Sequence, residues 1–134
     1  MKGEQVWEQH SKTVSTTVRD ISKDGIKFEI NHTAETSGKL KGHVTGTTTI
    51  WMKTDGSSEW EEKNMGMTAE GDFFAGWGKG TGKMTGPGAT SWEGEVHVMS
   101  QAPKLAWLNE AKIWASGTAD QAKGESHAKF FHQK

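Results

Sequence analysis

The stretch FFAGWGKGTGKMTGPG, residues 73–88, decides how the rest of the chain is read. Glycine occupies every second position from Gly76 to Gly82, and Gly86 and Gly88 keep that phase. A period of two is the strand period, because successive side chains leave a sheet on opposite faces. One face of this strand is therefore nearly bare backbone, while Phe73, Trp77, Lys79 and Lys83 occupy the other. Glycine weakens a strand, so such a run marks a bend, a bulge or a close approach by another group. A phosphate-cradling loop is the poorer alternative. GWGKGTGK matches G-x-G-x-x-G only loosely, and neither a following helix nor a βαβ unit surrounds it.

Short strand signals extend from this stretch in both directions. Residues 6–14 read as a first strand and 16–22 as a second or its continuation, ended by the hairpin signal Lys23-Asp24-Gly25. Ile26, Phe28, Ile30 and His32 then alternate with Lys27, Glu29, Asn31 and Thr33. Residues 40–53 place Leu40, Val44, Ile50 and Met52 on one parity, and the β-branched run 45–49 favours strand over helix. Further strands are expected over 59–69, 91–100, 110–119 and 125–133, with only 103–109 (PKLAWLN) resembling a short helical excursion. About eight hairpin-connected strands, with no helices to cover a flat sheet, predict an all-β fold. It is a closed antiparallel barrel with at most one short helical turn, formed by a single domain over residues 1–134. Bare glycine faces let a barrel wall coil and leave room for large neighbouring rings.

Composition narrows the function classes. The 134 residues include seven Trp and five Phe, which a disordered chain would lack. Net charge is −1 and the isoelectric point is near 6.6, so there is no electrostatic case for nucleic acid or an anionic membrane. No cysteine is present, which removes disulfides, zinc–thiolate sites and a cysteine nucleophile and suits a reducing cytoplasm. MKGEQVWEQHSK has no apolar signal region, and no run reaches the roughly 20 apolar residues of a membrane-spanning helix. A cytoplasmic location is expected.

Six histidines stand singly, without metal-ligand spacing, so neither a metal nor a cofactor is expected. No G-x-S-x-G elbow suggests a serine hydrolase. Glu62 shares a strand face with Trp60, and a carboxylate beside a desolvating ring is a candidate acid or base. His97 is the candidate imidazole, because late strands could bring it near His127. Trp60, Trp77, Trp92 and Trp114 sit on separate strands and would wall a lumen, with Asn109 helping to orient a ligand. The plainer reading is that these rings fill the core. A third is that large residues on both strand faces, such as Trp114 against Ile113 and Ala115, mark a homo-oligomer contact.

The run TGPGATSWEGEVHVMSQAPKLAWLN, residues 85–109, resembles a pattern of uncharacterised small bacterial proteins. The matching positions are Gly86, Gly88, Trp92, Gly94, Gln101, Lys104, Leu105, Leu108 and Asn109. Residues 66–72 and Gly78-x-Gly80 fit the same pattern, which covers about a third of the chain. Such proteins resemble the allene oxide cyclase-like barrel. The resemblance implies eight antiparallel strands around a cavity and frequent oligomerisation, but no reaction, because a fold does not fix a function.

Three readings follow. The first is a lipocalin-like barrel that binds a small apolar or amphipathic molecule. The second is a cofactor-free isomerase or cyclase using Glu62 or His97, and the third a structural or assembly module. Which parity faces the lumen is open at this point, because a slip of one residue exchanges the two sets of candidates.

Overall fold

A computed structural model describes residues 3–133 and shows the expected closed antiparallel barrel. Its strands are β1 (Glu4–Ser22), β2 (Gly25–Gly38), β3 (Gly42–Lys53), β4 (Ser57–Thr68), β5 (Phe73–Gly86), β6 (Ala89–Met99), β7 (Lys112–Asp120) and β8 (Glu125–Gln133). Each strand pairs with its sequence neighbour, and β1 closes on β8. Of the two readings of residues 16–22, the continuation holds: they belong to the same strand as 6–14. Register shifts at Thr13/Ser15 and Val18/Asp20 bend β1 without breaking it. Beyond Lys12, β1 leaves β8 and continues along β2 alone, while β2 stays paired with β3 over that stretch, so the far half of β1 extends past the edge of β8.

The Asp24-Gly25 hairpin forms where the sequence puts it. Gly25 has φ of 151°, and a Cβ there would lie 2.1 Å from the Met52 carbonyl oxygen, so only glycine fits. At the opposite end a 3₁₀ helix (Pro103–Glu110) crosses between β6 and β7. It buries Leu105 and Leu108 against Val6, Trp7, Leu40, Val44, Phe74, Val98 and Ile113. This apolar plug seals one end of the barrel. The other end, with the turns at 23–24, 54–56, 87–88 and 121–124, stays open. No helix among the described residues is long and apolar enough to cross a membrane.

Pleat and register together fix the parity that the sequence left open. A Cβ on Gly76, Gly78, Gly80 or Gly82 would meet Asn64, Val96, Trp60 or Ser58, all on the inner wall. The glycine face of β5 therefore looks into the lumen. Inside, large groups and glycines lie side by side across the strands. Trp60 of β4 is opposite Gly80, which is opposite Gly94 of β6; Trp92 of β6 lies between Gly82 and Gly117. A Cβ on Gly94 would approach Trp60 Cζ2 to 2.6 Å, and one on Gly117 would approach Trp92 Cζ2 to the same distance. Each tryptophan thus lies over space that a missing side chain leaves.

Candidate functional site

The plug and the glycine wall leave a blind cavity of about 280 Å³ inside the barrel. That is close to the lower limit of ordinary ligand pockets, which run from roughly 300 to 1,000 Å³. Phe28, Ile30, Ile50, Met52, Trp60 and Trp92 supply its apolar wall. The two indoles meet edge to face, with ring centroids 5.4 Å apart at 78°. Trp60 is fixed by its Nε1–H, which donates to the Thr81 carbonyl at 3.2 Å.

Polar groups converge deeper in the lumen. Thr48 and Glu62 are direct partners on β3 and β4, and His32 lies one step further along β2, opposite Gly46. The Thr48 hydroxyl donates to Glu62 Oε1 at 3.0 Å and lies 3.2 Å from His32 Nε2. His32 Nε2 is itself 3.4 Å from Glu62 Oε1. The Asn64 amide donates to Glu62 Oε2 at 2.5 Å. Gly46 makes the cluster possible, because a Cβ there would fall 2.9 Å from both His32 Cε1 and Asn64 Cβ. On the adjoining wall, buried Gln9 donates to buried Ser11 at 3.2 Å. His32 Nδ1 is buried with no hydrogen-bond partner among the described residues.

Opposing effects act on Glu62. Burial favours its neutral form, but the hydrogen bond and charge of His32, with hydrogen bonds from Asn64 and Thr48, outweigh this and hold the carboxyl below its ordinary value. Glu62 is thus a carboxylate at neutral pH, suited to accept a proton rather than give one. A depressed native pKa stabilises the fold above the ordinary value, and that stability is lost as pH falls through the native one. Glu62→Gln keeps the shape but places an amide donor among donors. It is expected to cost about 1–3 kcal/mol at pH 7. In urea unfolding at several pH values, the gap between the natural chain and the variant should close as pH falls below about 4.5, the ordinary value. A gap that stays constant down to acid pH would show that the charge of Glu62 contributes nothing.

Of the residues singled out in the sequence, Trp60, Glu62 and Trp92 line the cavity. The others require correction. Trp77 sits between Gly76 and Gly78 and borders the cavity only where those glycines leave the wall bare. Its ring is turned outward, 49% exposed, and stacks on His97 at 5.3 Å. His97 alternates with the inward-facing Val96 and Val98, so it too is on the outside and away from the lumen. Trp114 alternates with the buried, inward Ile113 and Ala115 and faces outward opposite Glu95. Asn109 is exposed and closes a loop: its Oδ1 accepts from the Ser100 N–H at 2.9 Å and its Nδ2 donates to the Ser100 carbonyl at 3.0 Å. His32 and Thr48 were missed, although His32 continues the apolar parity of Phe28 and Ile30.

A closed eight-stranded antiparallel barrel with a blind, partly polar lumen defines the class of protein. Solved structures with the same fold extend over nearly the whole chain. A protein of unknown function from Clostridium acetobutylicum matches with a TM-score of 0.86 at 15% identity, covering 100% of both chains. A β-barrel-like protein from Acinetobacter baumannii matches with a TM-score of 0.84 at 15% identity, covering 98% of this chain and 94% of the other. An enzyme from Penicillium herquei matches with a TM-score of 0.71 at 16% identity, covering 96% and 92%. At these identities the likeness is one of fold. No family model matches the sequence, and no curated protein does.

Proposed function

We propose that the barrel binds a small, partly apolar molecule that is neutral or positively charged. Its polar group would lie against His32, Thr48 and Glu62, and its apolar body between Trp60, Trp92, Phe28 and Ile30. The observation that carries this reading is the charge of the wall. Among the described residues no lysine or arginine lines the cavity, whereas Glu62 does so deep inside and Asp120 and Glu125 do so near the mouth. A carboxylate or phosphate ligand would have to shed its water beside these carboxylates with no lysine or arginine of the described residues to pair with it, and an unpaired buried charge is costly.

The test uses two fluorescent probes, the neutral aminoanthracene and the anionic dye ANS, titrated while tryptophan emission is followed. Saturable quenching by aminoanthracene is expected, with ANS weaker by about tenfold or more, equivalent to about 1.4 kcal/mol. Equal or tighter binding of ANS would overturn the preference for uncharged ligands. Failure of both probes to bind would remove the binding function itself.

A cofactor-free isomerase or cyclase is the second reading. It is favoured by an ionised carboxylate in hydrogen-bond reach of an imidazole and a hydroxyl at the cavity wall. Glu62 would take a proton from a substrate held in a reactive conformation, and His32 or Thr48 would return it. The resemblance to allene oxide cyclase-like barrels and the fold shared with an enzyme from Penicillium herquei agree with this reading. Exchange of α-hydrogens for deuterium in a small cyclic ketone, catalysed by the natural chain and not by Glu62→Gln, would separate it from simple binding.

A further inference from the structure

Gln9 and Ser11 point into the lumen, so Glu8 and His10 of β1 share the outer face. His127 of β8 is the direct strand partner of His10. The two imidazoles stack with centroids 4.3 Å apart at 20°. Glu8 Oε2 is 3.7 Å from His127 Nε2, too far for a hydrogen bond, and that nitrogen is buried with no hydrogen-bond partner among the described residues. One ligand atom from each of Glu8, His10 and His127 lies within 4.8 Å of the other two. The Glu8 carboxylate is steadied by its own strand, Oε1 accepting a hydrogen bond from Gln5 Nε2 at 3.1 Å, which leaves Oε2 on the side of His127.

We propose that Glu8, His10 and His127 form a surface site for a divalent transition-metal ion, zinc in the first place. Two imidazole nitrogens and one carboxylate oxygen make a borderline donor set. Zinc accepts it readily, whereas calcium and magnesium require oxygen ligands in greater number. Bonds of about 2.0–2.1 Å bring the ligand atoms to roughly 3.3 Å from one another in a tetrahedral shell. The stacked rings must therefore turn so that their lone pairs converge on one point. Side-chain torsions supply that movement, while the ladder between β1 and β8 keeps the three Cα positions fixed. His10 is exposed, so three protein ligands leave at least one coordination position open to solvent. Lys129, the strand partner of Glu8, and Lys12, two residues beyond His10 on the same face, are nearby positive charges that oppose binding. No spacing signal along the chain marks this site, because its ligands come from the first and last strands.

The experiment titrates zinc against a chromophoric chelator and records the visible spectrum of the cobalt-loaded protein. Saturation at one ion per chain is expected, with the intense visible bands of a four- or five-coordinate cobalt site. His10→Gln and His127→Gln should each weaken zinc by about tenfold or more (at least 1.4 kcal/mol) and remove those bands. His97→Gln, on another part of the outer wall, should leave both unchanged. Circular dichroism of each variant shows that the barrel is intact. Binding that does not saturate, or that keeps its affinity in His127→Gln, would overturn the site. Neither result bears on the lumen, which is on the other face of the same strands.

Discussion

Trp60→Ala is expected to lower the unfolding free energy by about 3–5 kcal/mol, the usual cost of removing a large buried aromatic side chain. The upper part of that range is the better expectation, because of what surrounds the ring. Trp60 is 9% exposed and is flanked by Gly78, Gly80 and Gly94. These neighbours have no side chains that can fall into the space, and a cavity that cannot collapse costs most. The edge-to-face contact with Trp92 is lost as well. Trp77→Ala on the same barrel should cost less than about 1 kcal/mol, because that ring is half exposed on the outer face. Urea unfolding followed by far-ultraviolet circular dichroism measures both. Similar losses for the two variants would mean that the tryptophans are not divided into inner and outer sets.

Gly94→Ala approaches the same contact from the opposite side and is expected to cost about 3 kcal/mol, at the upper end for overpacking. Its Cβ would lie 2.2 Å from the Lys79 carbonyl oxygen, 2.6 Å from Trp60 Cζ2 and 2.7 Å from the Gly80 Cα. Two of these atoms are backbone, so relief requires β5 and β6 to separate as well as the indole to shift. Trp60→Phe should therefore recover only part of the loss in the double variant, and non-additivity measures that part. Gly86→Ala is the matched control. A Cβ there meets nothing within 4 Å, and the change should stay within about 0.5 kcal/mol.

The fold was largely legible in the sequence because a hairpin barrel is specified locally. Period-two alternation and turn residues such as Asp24-Gly25 mark strand ends, and a meander needs no long-range choice of partner. The site was legible only in part. Alternation sorts Trp77 from Gly76 and Gly78 but does not say which set is inside. The deciding fact is non-local: Trp60 and Trp92 come from strands whose neighbours in the barrel are bare. Once β5 is seen to give its glycine face to the lumen, Trp77 and His97 must lie outside. Asn109 looked like a ligand-orienting amide, whereas its two hydrogen bonds are both spent on Ser100. His32 carried a readable signal, a lone imidazole on the apolar parity of Phe28 and Ile30. Its meaning depends on register, which sets Thr48 directly against Glu62 and leaves His32 one step away.

One titration asks most directly whether the glycine-lined lumen is the binding site. Aminoanthracene is added to the natural chain and to Ala119→Trp, which places an indole at the cavity mouth on β7. Trp77→Phe, which alters only the outer ring, is the control. Saturable binding at one probe per chain is expected for the natural chain and the control, and its loss for Ala119→Trp. Binding that survives the plug at the mouth but disappears with Trp77→Phe would put the probe on the outer wall and contradict a lumenal site.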